Sequence, residues 1–162
     1  MIIHSYKTLI SDEGTPYLSA QHSYHIDGRH TYDTPDKIAE FIMQSLDIKD
    51  CAEEYLYVLC FDTANHLIGC FEASHGNVKT AIVSNREIMQ KALLIGAVGI
   101  VLTHNHPSDS LSPSPQDFDA TRLVKEAGDV LEITLLDHII VSKSGWYSMQ
   151  EQGDMDSLTS PV

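Results

Sequence analysis

Two histidines one residue apart, His104 and His106, open the run T-H-N-H-P-S-D-S-L-S-P-S-P-Q-D, which closes on Ser114 and Asp117. In extended chain, side chains two apart point the same way, so both imidazoles can address one point in space. Imidazole nitrogen suits zinc, and a catalytic zinc commonly takes three protein ligands and leaves a fourth position to water. Asp117, on the first turn of a following helix, is the candidate third ligand. Asp109 and Asp119 compete with it, and the helix phase favours Asp117. Pro107, Pro113 and Pro115 stiffen the loop and reduce the entropy lost on ordering it. Such an ion lowers the pKa of bound water toward about 7, so a nearby carboxylate can take its proton. Glu72, near the end of a strand that can neighbour the histidine strand, is the candidate for that base. Ser114 is placed to donate a hydrogen bond to a developing oxyanion.

Each residue also has a plainer reading. Ser114-x-x-Asp117 is a helix cap, with Asp117 favouring the positive end of the helix dipole. His138, after Asp137, reads as a satisfied sheet histidine rather than a group supporting the site. His4, His30, His66 and His75 read as surface residues, and His22-x-x-His25 is the only other spaced pair.

The elements that must position these groups follow from periodicity. Residues 1–34 are poor in long aliphatics and read as an extension with one hairpin or irregular strands, turning at Asp27-Gly28. Thr34-Pro35 starts a helix over residues 35–47, with Ile38, Phe41, Ile42 and Leu46 on one stripe. Tyr55–Phe61 and Leu67–Phe71 read as a hairpin around residues 62–66, its second strand continuing to Gly76. Ser84-Asn85-Arg86-Glu87 opens a second helix that Gly96 stops. Val98–Leu102 is a continuous apolar run, the pattern of a strand buried on both faces, and it leads straight into the histidines. Ser114-Pro115 opens a third helix with a buried stripe of Ala120, Leu123, Val124 and Ala127, ended by Gly128. Val130–Val141 reads as strand broken at Asp137-His138, Ser144-Gly145 as a turn, and the last ten residues as frayed. Alternating strands and helices predict an α/β single domain, a mixed sheet with helices packed against it.

The chain has 162 residues, suited to one core. A net charge of −13 with only 10 Lys and Arg opposes nucleic-acid backbones, so nucleic acid is an unlikely partner. No apolar run approaches the roughly 18 residues needed to span a membrane, and no leader pattern is visible, which reads as cytoplasmic. Cys51, Cys60 and Cys70 form no C-x-x-C pair and read as reduced, largely core residues.

The set Glu72, His104, His106, Ser114 and Asp117 resembles the RadC branch of the JAB (JAMM/MPN) metalloprotease family, whose signature is a distant Glu followed by H-x-H-x7-S-x2-D. The likeness extends through H-N-H-P-S at residues 104–108, Pro113-Ser114, Leu136–Ile140, Gly76 and Arg86-Glu87, over roughly residues 38–150. The resemblance implies a cytidine-deaminase-like α/β fold over residues 35–150, flanked by an extension at 1–34 and a tail at 151–162. It implies Zn2+ held by His104, His106 and Asp117, with Glu72 as general base and Ser114 as oxyanion stabiliser, hydrolysing a peptide or isopeptide bond in a protein or peptide substrate. Rival readings are a non-catalytic MPN-type binding module and a DNA-repair-associated accessory protein. Three departures stand out: Asp109 where the family has Gly, Asn85 where it has Pro, and an unfamiliar segment in place of a helix-hairpin-helix.

Overall fold

β-branched and aliphatic runs assemble a single mixed sheet of seven strands in the order β2-β1-β4-β3-β5-β6-β7. A computed structural model describes residues 1–26, 31–76 and 84–158. The strands are β1 (Ile2–Ile10), β2 (Pro16–His25), β3 (Glu54–Phe61), β4 (Leu67–Gly76), β5 (Gly99–Asn105), β6 (Thr134–Ser142) and β7 (Gly145–Ser148). The β1/β4 and β5/β6 pairs are parallel and the rest antiparallel. The helices are α1 (Pro35–Phe41), which runs on into a π-helical turn at Ile42–Leu46, α2 (Asn85–Ile95) and α3 (Pro115–Leu131).

Strand alternation divides the core in two. Leu59, Phe61, Cys70, Val101, Ile139 and Val141 pack under α1 and its π turn with Ile38, Phe41 and Ile42. Val58, Cys60, Phe71, Ile100 and Leu102 pack under α2 and α3 with Ile88, Ala92 and Val124. Every residue of β5 is buried, as its unbroken apolar run predicts for a strand covered on both faces.

The structure redraws several boundaries. The first hairpin turns at residues 11–15, between β1 and β2, and both strands join the sheet; the expected turn at Asp27-Gly28 lies outside the described residues, as does His30. Helix α3 does not stop at Gly128 but continues to Leu131, and Glu132 ends it in left-handed conformation at φ 58°. Its buried stripe is Asp117, Thr121, Val124 and Gly128, while Leu123 faces outward. Consequently β6 begins at Thr134 rather than Val130, and Asp137-His138 lies within it. The chain end is ordered into a 3₁₀ turn at Asp154–Leu158, with Met155 buried.

Two bulges decide which side chains reach which face. In β6 an extra residue near Leu136 shifts the register, so Ile100 pairs with Leu135 but Leu102 with His138. Simple alternation from Leu135 would turn Asp137 and Ile139 toward α3; the bulge turns His138 there instead. In β4 the register slips where Leu56 pairs with Ser74 but Tyr57 with Glu72.

Candidate metal centre

Strand β5 ends at Asn105, where its parallel partner β6 and the N-terminus of α3 meet. This is the carboxyl end of a β5–α3–β6 crossover, the place where sheets of this kind build sites. His104 is the last α3-facing residue of β5, and His106 follows it out of the sheet. Asp117 sits at the third position of α3, held by a capping box. Its N–H donates to Ser114 Oγ at 3.2 Å, and its Oδ2 accepts from Ser114 N–H at 2.6 Å.

His104 Nε2 lies 2.8 Å from His106 Nε2 and 3.2 Å from Asp117 Oδ1, and His106 Nε2 lies 3.5 Å from Asp117 Oδ2. Donor atoms bound tetrahedrally at about 2 Å from a zinc ion stand about 3.3 Å apart, so the cluster has the span a single ion requires. Among the described residues it is the one group of three or more His, Cys, Asp or Glu whose ligand atoms lie within 4.8 Å of one another. His106 Nδ1 is 2.7 Å from the main-chain oxygen of Ser110, which can only accept. Nδ1 therefore carries the proton, and the Nε2 lone pair of the neutral ring points into the cluster. Without an ion, protons on the imidazole nitrogens join these atoms in hydrogen bonds; a divalent cation can take the place of those protons.

Electrostatics agree. Burial alone would raise the Asp117 pKa, but hydrogen bonds with His104 and His106 and from Ser114 override it and hold the carboxyl far below the usual range. His106 is pushed up by its hydrogen bond to Asp117, against desolvation, with Glu54 contributing more weakly. His104 and Asp117 are nearly sealed, at 2% and 3% exposure, whereas His106 keeps an edge open to solvent.

The structure brings together His104, His106, Asp117 and Ser114, but not Glu72. Glu72 pairs with Tyr57, which packs in the α1-side core, and its Oε1 lies 3.9 Å from His75 Nδ1. The sheet separates it from the imidazoles. Glu54, two residues before Leu56, the register partner of His104, falls on the His104 face of the sheet by strand alternation. Asn105 pins that stretch: its Oδ1 accepts from Tyr55 N–H at 2.8 Å, and its Nδ2 donates to Glu53 O at 2.9 Å, clasping the backbone on both sides of Glu54. Sequence alone gave no signal for Glu54, because its place depends on the β3/β5 register.

The competing aspartates are elsewhere. Asp109 takes the left-handed φ of 63° that the family's glycine would supply, and its carboxylate accepts from Ser144 N–H and Oγ–H, tying the proline loop to the β6–β7 turn. Asp119 is exposed and pairs with Arg122. His22 and His25 lie on the edge strand β2. His138, read from the sequence as a satisfied sheet histidine rather than a group supporting the site, contacts His104: its Nε2 is 2.8 Å from His104 Nδ1. Desolvation, then the nearby histidines, push it down to about 3, so the ring is neutral.

Residues 32–154 match the family model described as RadC-like JAB domain. The chain belongs to that family. Among similar proteins, a UPF0758 protein of Chlorobium phaeovibrioides is 38% identical over 108 residues, 67% of this chain and 48% of that protein. One from Clostridium novyi is 37% identical over 119 residues, covering 74% and 51%. One from Finegoldia magna is 40% identical over 117 residues, covering 72% and 52%. This RadC-like JAB chain thus spans about half the length of the curated relatives it matches. No helix among the described residues is long and apolar enough to cross a membrane.

Proposed function

We propose that this RadC-like JAB domain is a zinc-dependent hydrolase acting on a peptide or isopeptide bond of a protein or peptide substrate. The observation that supports this most is the convergence of His104 Nε2, His106 Nε2 and the Asp117 carboxylate within the span of one ion. A divalent ion there supplies Lewis acidity and a water whose pKa is lowered toward about 7. His104, His106 and Asp117 hold it. Glu54, on the same face, takes the proton of the attacking water and returns it to the leaving amine; Glu72, across the sheet, takes no part. Ser114 Oγ accepts from Asp117 N–H in the cap, and its hydroxyl proton turns from the Asp117 carboxylate to the oxyanion. The open edge at His106 is where substrate enters.

The test combines metal analysis with turnover of an isopeptide-linked fluorogenic peptide library. Wild type is expected to carry about one zinc per chain, which His104→Ala and Asp117→Ala lose. Glu54→Gln keeps the zinc and loses turnover by about 100-fold or more, whereas Glu72→Gln keeps both. Zinc-free protein purified from zinc-replete cells overturns the metal reading, and full turnover in Glu54→Gln overturns its role as base.

A further inference from the structure

Asp109 stands at the exposed tip of the proline loop and breaks a local rule there. Its φ of 63° is left-handed, a conformation that carries a steric cost for any residue but glycine. Asp tolerates it better than most, yet an exposed tip has little burial to offset the cost. A clasp offsets it instead. Asp109 Oδ1 accepts from Ser144 N–H at 2.9 Å, and Oδ2 accepts from Ser144 Oγ–H at 2.6 Å. These bonds, the hydroxyl's first, hold the Asp109 carboxyl below its usual pKa, so both run to a charged acceptor. Ser144 is a firm anchor, because it lies in the tight turn between Ser142 and its register partner Gly145. Leu111 reaches the same turn, its Cδ1 4.0 Å from where a Cβ on Gly145 would stand. The loop is tied at its entry too: His106 N–H donates to Val141 O and Asp109 N–H to His106 O, each at 3.0 Å. Its exit is the Ser114 cap of α3. Between these ties the Ser110 main-chain oxygen lies 2.7 Å from the His106 ring, so the loop runs beside the histidine whose edge stays open to solvent.

We propose that Asp109 and Ser144 are positioning residues that pin the proline loop to the β6–β7 turn as a fixed wall of the opening at His106. Substrate then enters as an extended segment of chain along a preformed slot, and the loop does not swing aside to admit it. What passes the wall rests on the hydrolase reading; the clasp itself does not. A lid calls for the opposite build, with a hinge free to change its backbone angles and few bonds to neighbouring elements. Here Pro107 and Pro113 bracket the loop, and its ties run to β6, to the β6–β7 turn and to α3. If Asp109 served only to tolerate the left-handed turn, glycine in its place would serve as well. Glycine keeps the turn and loses the clasp. Asparagine keeps both, since its Oδ1 accepts from Ser144 N–H and its amide donates to Ser144 Oγ.

The test uses the full, zinc-loaded chain and reads two quantities: amide hydrogen exchange at residues 109 and 144 by NMR, and KM against kcat on an isopeptide-linked fluorogenic peptide. Asp109→Gly is expected to speed exchange at both amides by about tenfold or more. A wall in place only about a tenth of the time raises KM about tenfold, with kcat within about twofold because the ligands and Glu54 are untouched. Ser144→Ala, which loses the hydroxyl alone, shifts both readouts the same way by about threefold, and Asp109→Asn stays within about twofold of wild type. Asp109→Gly with wild-type exchange overturns the clasp. A fall in kcat at unchanged KM overturns the wall, and a lower KM overturns it too, because the loop would then have to open for substrate. Wild type that cleaves no peptide refutes the hydrolase reading, and exchange alone then decides the clasp.

Discussion

At the scale of single residues, what was legible was local. His104, His106 and Asp117 stand close in sequence, and strand alternation plus a helix cap bring them together with few long-range unknowns. Glu54, the base proposed above, was not legible, because it falls on the histidine face only through the β3/β5 register, while Glu72 lies on the other face beside a slip in β4. Asn105 carries the weight of that placement, and its burial makes the effect measurable. Asn105→Ala leaves the Tyr55 N–H and Glu53 carbonyl without their partner, which costs roughly 2 to 3 kcal/mol. Urea unfolding of the zinc-loaded variant should show that loss, with zinc retained and turnover reduced as Glu54 drifts. Protons compete for the ligand atoms as well. His106, held above an imidazole's ordinary pKa by Asp117, keeps its proton to higher pH than free histidine does. Zinc affinity, followed by chelator competition from pH 8 to 5.5, should therefore begin to fall above about pH 6.5, by up to roughly tenfold per pH unit for each proton displaced.

At the scale of elements, type and order were readable from periodicity, while ends and phase depended on contacts. Helix α3 shows why. Gly128 looks like a stop in the sequence, yet it is a point of close approach: a Cβ there would stand 2.3 Å from the main-chain oxygen of Ile133. The glycine lets the helix pass over the loop into β6, and Glu132 takes the left-handed turn instead. Propensity alone favours alanine in a helix interior by about 1 kcal/mol. The clash is with backbone that cannot swing aside, so it wins. Gly128→Ala should lower stability by about 2 kcal/mol, read as a lower urea midpoint at unchanged slope. An equal or higher midpoint would mean that the β6 entry yields freely. The buried stripe slipped by one residue for a related reason: Thr121 and Asp117 face inward because the hydrogen-bonded file to His138 and His104 holds them there, at positions where hydrophobicity gave no cue.

At the scale of the whole molecule, the α/β class was legible because β5 is apolar throughout and helices alternate with strands, whereas the joining of β1 and β2 to the sheet was hidden by their polar composition. That sheet separates the two buried thiols: Cys60 lies under α2 and α3, and Cys70 under α1. Burial pushes Cys70 up to about 12 and Cys60 higher still, so neither yields thiolate near neutral pH in the folded state. Cys51, in the partly exposed loop before β3 with its thiol near the Asp47 carbonyl, is raised less. Alkylation of native protein at pH 8 should therefore mark Cys51 first, and Cys60 and Cys70 only through opening of the whole domain. Under the proposed metal reading, the three ligands converge only in the folded chain, so zinc at 100 times its dissociation constant adds about 2.7 kcal/mol to that opening. Labelling of Cys60 and Cys70, measured by mass spectrometry under conditions of rapid reclosing, should slow by about 100-fold with zinc in the wild type and remain unchanged in Asp117→Ala. Equal slowing of Cys51 would mean that the ion acts on the loop before β3 rather than on the fold as a unit.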